Sequence, residues 1–114
     1  MYTVILNDAP YGSEKLYNGL RLASALQKKE KEVNVFLMAD AVFSAMQNQD
    51  TPNGYYNIGR MIKHFLLKGG NISACITCLK ARGIQIAHLI EGIREGNMDV
   101  LSDWCMQSEK VINY

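Results

Sequence analysis

Val33-Asn34-Val35-Phe36-Leu37-Met38 is a nearly unbroken apolar run. A strand with one wet face alternates apolar and polar residues. A run of this kind is the pattern of a strand covered on both faces, as in parallel sheets packed between helices. Two more β-rich stretches read the same way, Tyr2 to Leu6 before it and Asn71 to Cys75 after it. The first ends in the turn-forming Asn7-Asp8-Ala9-Pro10-Tyr11-Gly12. Ser13 then reads as an N-cap, with Glu14 and Lys15 opening a helix whose Leu16, Leu20, Ala23 and Leu26 share one face. After a polar loop from Gln47 to Gly54, Asn57 caps a helix with Ile58, Met61, Ile62, Phe65 and Leu66 at helical spacing, stopped by Gly69-Gly70. The stretch from Gly83 to Ile93 suits either period and reads as a short helix or loop leading to a small strand. Asn97 caps a last helix carrying Leu101, Trp104 and Cys105 inward, and Val111 to Tyr114 closes as a strand.

Strands and helices therefore alternate along the whole chain. Right-handed crossovers and short connections make this an α/β protein of doubly wound type, with a mostly parallel sheet of about five strands between helix layers. Its 114 residues suit a single domain, 1–114. Twelve basic residues against eleven acidic give a net charge of +1. That balance offers no basic face for nucleic acid, so none is expected as a direct partner. The mixed-sign run Lys28-Lys29-Glu30-Lys31-Glu32 reads as a solvated helix end. Val4-Ile5-Leu6 is too short for the apolar part of a secretion signal, and no run approaches a membrane span, so no membrane partner and a cytoplasmic location are expected. Three cysteines are too few for a disulfide-stapled fold.

In such folds ligands bind beyond the carboxyl ends of the strands. Cys75-Ile76-Thr77-Cys78 lies at that edge, followed by the cations Lys80 and Arg82. Four chemistries fit a cysteine pair there. Structural zinc needs four ligands, and Cys105, His64 and His88 are scattered, so no metal is expected. Thioredoxin-type exchange needs the motif to open a helix, whereas Cys75 reads as a final strand residue directed away from Cys78. A phosphate cradle between Asn7 and Ser13 lacks the glycine and lysine signatures. A lone nucleophilic Cys78 on a mobile loop from Ile76 to Arg82 remains, with Lys80 and Arg82 favouring its thiolate and Cys75 auxiliary or dispensable. Against each stands the bland reading of a small buried hydrophobe. Tyr55, Tyr56 and the six methionines suit either a subunit interface or the core.

Ala9-Pro10-Tyr11-Gly12-Ser13-Glu14, Arg21-Leu22-Ala23, Phe36-Leu37-Met38-Ala39-Asp40-Ala41-Val42, Tyr56-Asn57-Ile58, Cys75-Ile76-Thr77-Cys78 and Arg82-Gly83-Ile84 come in an order and spacing that resemble the DsrE/DsrF-like family of sulfur-relay proteins. The likeness runs nearly end to end and is strongest to the small YchN-type branch. The resemblance implies a three-layer α/β/α flavodoxin-like fold, a trimer or hexamer, and a reactive cysteine at Cys78. It further implies that Cys78 carries a persulfide between donor and acceptor proteins, with no cofactor. Any enzyme activity would be of sulfurtransferase type. Tyr11, Gly12, Ser13, Asp40, Tyr56 and Asn57 are the expected pocket around the thiol. The alternative is a non-catalytic oligomeric module binding a small anion or nucleotide at the strand ends.

Overall fold

The run that begins at Val33 becomes β2 (Val33–Leu37), and all five of its residues are buried. It lies at the centre of the sheet, as a strand buried on both faces should. The computed structural model describes residues 1–114. Around β2 are β1 (Tyr2–Leu6), α1 (Lys15–Lys28), α2 (Ile58–Leu67), β3 (Asn71–Cys75), α3 (Ile76–Ala81), β4 (Arg94–Gly96), α4 (Met98–Gln107) and β5 (Lys110–Asn113). The five strands pair in the order β4-β3-β2-β1-β5, every pair parallel. Successive strands β1 to β4 are thus laid down in one direction, and β5 is added on the far side of β1.

Alternation along the strands sorts the two helix layers. Val4, Val35 and Ile72 share a row, as do Leu6, Leu37 and Ala74. Gly19 of α1 packs on that face beside Leu6, and Gln27 of α1 donates to the Phe65 carbonyl of α2 at 2.9 Å, so α1 and α2 form one layer. The opposite face carries Thr3, Ile5 and Phe36. There Trp104 of α4 meets Phe36 edge-on and Ser108 meets the Thr3 hydroxyl at 2.7 Å. The result is the expected three-layer α/β/α arrangement. No helix is long and apolar enough to cross a membrane.

Asn57 and Asn97 cap α2 and α4 as their positions predict, accepting from Arg60 and Val100 N–H groups. Ser13 does not cap α1. Its hydroxyl is engaged by Asp8 at 2.9 Å, its contact with Lys15 N–H is long at 3.4 Å, and the residue at the helix boundary is Glu14. Leu101 is buried, while Trp104 and Cys105 are only half-buried. Between Gly83 and Ile93 a 3-10 turn at Ile86–His88 precedes β4, which starts after the apolar stretch rather than within it. A longer 3-10 helix, Ala39–Ala45, buries Ala41, Val42, Ser44 and Ala45 directly after β2.

Candidate functional site at the ends of β2 and β3

Because β2 and β3 are parallel neighbours, their carboxyl ends emerge side by side, one into Ala39-Asp40 and the other into Cys75. Ala39 turns the chain with φ +49°, a left-handed conformation that costs a non-glycine residue about 1–2 kcal/mol. The turn directs the Ala39 N–H at Cys78 Sγ, 3.3 Å away. Strained residues of this kind concentrate at functional sites.

The segment from Ile76 onward is a helix rather than a mobile loop, and this changes how the cysteines meet. Cys75 closes β3 and is the boundary residue of α3, with Cys78 the third residue of that helix. The two thiols are near enough to perturb one another's acidity. Cys75 is therefore turned toward Cys78, not away from it, and the motif does open a helix directly after a strand. Cys75 is buried, with Sγ 3.2 Å from the Thr77 hydroxyl, whereas Cys78 is half-buried. Burial pushes the Cys75 thiol up, but hydrogen bonding from the Cys78 and Thr77 side chains and the amides of the same residues outweighs it, so its pKa is lowered. Burial and the neighbouring Cys75 raise Cys78, against the Ala39 amide and the Arg82 charge. Two interacting thiols titrate as a pair rather than independently.

Arg82 does pull Cys78 in the expected direction, yet the net shift is upward because burial and Cys75 are stronger. Its own geometry is that of a clamp. Nε binds Asp40 Oδ1 at 2.9 Å and Nη1 donates to the Cys78 carbonyl at 3.0 Å, tying the turn after β2 to α3. Lys80 is exposed, and beyond burial the groups that shift Cys78 are Cys75, the Ala39 amide and Arg82.

The residues expected to form one pocket are divided. Gly12, Ser13 and Asp40 line an open depression of about 260 Å³ with Asn7, Asp8 and Ala9. Its two carboxylates make it a poor cradle for an anion. Asn57 lines a separate depression of about 240 Å³ beside Arg60 and Lys63. Tyr11 spans neither; its hydroxyl donates to Gln49 Oε1 at 2.7 Å and accepts the Ile58 N–H at 3.0 Å, latching the first loop to α2. Tyr56 stacks between Tyr17 and Tyr55 at 4.2 and 4.6 Å, and Arg21 lies 5.4 Å from the Tyr17 ring. Burial and Tyr55 push the Tyr56 hydroxyl up to about 12. Cys78 lines neither depression. His64 and His88 are exposed, and no three His, Cys, Asp or Glu side chains gather as metal ligands. Sequence reasoning missed Ala39 and Thr77: an alanine carries no signal for a left-handed turn, and Thr77 acts only once α3 forms.

Residues 1–114 match the DsrE/DsrF-like family from end to end. The chain is 37% identical over 113 residues to the protein YchN of Escherichia coli, covering 97% of this chain and 96% of that protein. It is 34% identical to an uncharacterised protein of Methanocaldococcus jannaschii, over 99% of this chain and 98% of that protein. The crystal structure of YchN from E. coli superposes with a TM-score of 0.93 at 36% identity, over 99% of this chain and 97% of that one. A protein of unknown function from Methanobacterium thermoautotrophicum shares the fold, with a TM-score of 0.78 at 15% identity over 99% and 98% of the two chains. Sequence likeness over the full length and the same parallel five-stranded architecture lead to one assignment: this chain belongs to the DsrE/DsrF-like family.

Proposed function

We propose that the protein is a sulfur-relay carrier, holding sulfane sulfur as a persulfide on Cys78. Family membership supports a role connected with sulfur transfer. The observation that carries the reading is the half-buried Cys78 Sγ held 3.3 Å from the Ala39 amide, with a second thiol beside it. In loading, Cys78 sulfur attacks the terminal sulfur of a donor persulfide. The donor's own S–S bond breaks, the new S–S bond forms on Cys78, and the donor leaves as a thiolate that takes up the Cys78 proton. The Ala39 N–H stabilises negative charge on Cys78 Sγ as it develops. A thiol of higher pKa is the stronger nucleophile once deprotonated, so the upward shift of Cys78 suits a base-assisted attack.

The relay reading brings donor and acceptor proteins, a cytoplasmic setting in which free thiols persist, and self-association as a trimer or hexamer, which light scattering measures directly. The anion- or nucleotide-binding alternative gains no support from the carboxylate-lined depression at Gly12 and Asp40. The test is intact-mass spectrometry after incubation with a cysteine desulfurase and cysteine. A single added sulfur that survives Cys75→Ser and disappears in Cys78→Ser is the expected result. A folded protein that gains no sulfur in any form overturns the carrier reading.

A further inference from the structure

Cys75 has no role in holding sulfur on Cys78, yet it is placed where only Cys78 can use it. It is 6% exposed, so external reagents reach Cys78 first. Cys75 is the boundary residue of α3 and Cys78 lies in its first turn, the C-x-x-C placement in which dithiol proteins close a disulfide. Both thiols are free, and bridging them requires their Cβ atoms to come within roughly 3.5–4.5 Å. Thr77 Oγ1 at 3.2 Å fixes the Cys75 sulfur in this position. Arg82 and the Ala39 amide hold Cys78 from the other side, through its carbonyl and its sulfur. A loaded Cys78 is thus a persulfide with a nucleophile already beside its inner sulfur.

We propose that Cys75 discharges the Cys78 persulfide from within, forming a Cys75–Cys78 disulfide and releasing the carried sulfur as hydrosulfide. This rests on the carrier reading above and specifies how the cargo leaves. The Cys75 thiolate attacks Cys78 Sγ. The Sγ–Sγ bond forms, the bond from Cys78 Sγ to the outer sulfur breaks, and its electron pair departs on the outer sulfur as hydrosulfide. The two cysteine sulfurs are oxidised to a disulfide while the outer sulfur is reduced to the sulfide level. An external dithiol reductant then returns the pair to two thiols by exchange, itself becoming a disulfide. One loading and one discharge consume one donor persulfide and one dithiol. In this scheme the cargo leaves as free hydrosulfide, and the acceptor protein is one that consumes sulfide.

The experiment uses the full chain with Cys105→Ala throughout, so that only the pair reacts. Protein carrying Cys75, Cys75→Ser or Cys75→Ala is loaded from a cysteine desulfurase with cysteine. It is then freed of donor without reductant and followed by intact mass and sulfide assay. The expected result is that the Cys75 protein loses its added sulfur at a rate independent of protein concentration. It releases one equivalent of sulfide and ends two hydrogen atoms lighter than the reduced protein, with the bridge mapped to Cys75 and Cys78. Both Cys75 variants keep the added sulfur over the same period. If the Cys75 protein holds its persulfide as long as the variants do, internal discharge is overturned while the carrier reading stands. If no folded form loads, with or without Cys75, the carrier reading itself falls and takes this step with it.

Discussion

Replacing Tyr11 by Phe separates a pocket residue from a structural latch. The Tyr11 hydroxyl accepts the N–H of Ile58, the first residue of α2 and fully buried, and donates to Gln49 Oε1. An N–H in the first turn of a helix has no partner within the helix, so this one depends on Tyr11. Gln49 Oε1 keeps a second bond, from Gly59 N–H at 3.1 Å, and so is not orphaned by the change. The loss is therefore one satisfied buried donor, about 1–2 kcal/mol. For a domain of this size that corresponds to a fall in Tm of about 4–8 °C. Differential scanning calorimetry reads the fall, and mass spectrometry reads sulfur loading on Cys78, which stays at the wild-type level. A Tm within about 1 °C of wild type would show that Ile58 N–H finds another partner and refute the latch. Lost loading at unchanged Tm would return Tyr11 to the site.

Gly96→Ala places a Cβ 2.7 Å from Phe36 Cε2 and 3.0 Å from Ser73 Cβ, both inside the core, so urea denaturation should show a loss of about 1–3 kcal/mol. Alkylation of Cys78, followed as rate against pH, should have its midpoint above that of a free thiol. Cys75→Ser should lower the midpoint by removing the neighbour that raises it, and Arg82→Ala should raise it by removing an opposing charge; the reverse ordering would refute the assigned causes. Tyr56 binds its proton more tightly folded than unfolded, so its contribution to stability is complete below pH 10 and is lost as pH climbs toward 12. Thermal melts between those values should fall more steeply for wild type than for Tyr56→Phe, and equal slopes would count against the shift.

The parts of the fold that were legible are those where a pattern repeats enough to average out exceptions. β2 shows five consecutive buried residues, and α2 repeats its apolar stripe over ten. The asparagine caps were legible because one side chain satisfies one backbone donor at a defined spacing. α3 was not, since six residues make fewer than two turns and no period is visible in them. The same holds for Ala39–Ala45, whose alanines carry no turn signal. At the site, Cys78 and Arg82 were legible as residue types. The pairing of Arg82 with Asp40, 42 positions apart, and the inversion of the two thiol acidities depend on which strands lie side by side. Only the folded sheet supplies that.

The two cysteines divide what a reactive thiol normally combines: the sulfur made more acidic is buried, and the one solvent reaches is made less acidic. A chemoproteomic survey with a mild electrophile at neutral pH would accordingly pass this protein over. The same division slows soluble oxidants and alkylators, which reach the less acidic sulfur first. A reagent held against the α3 turn would gain from residence time what the less acidic thiol lacks in thiolate fraction.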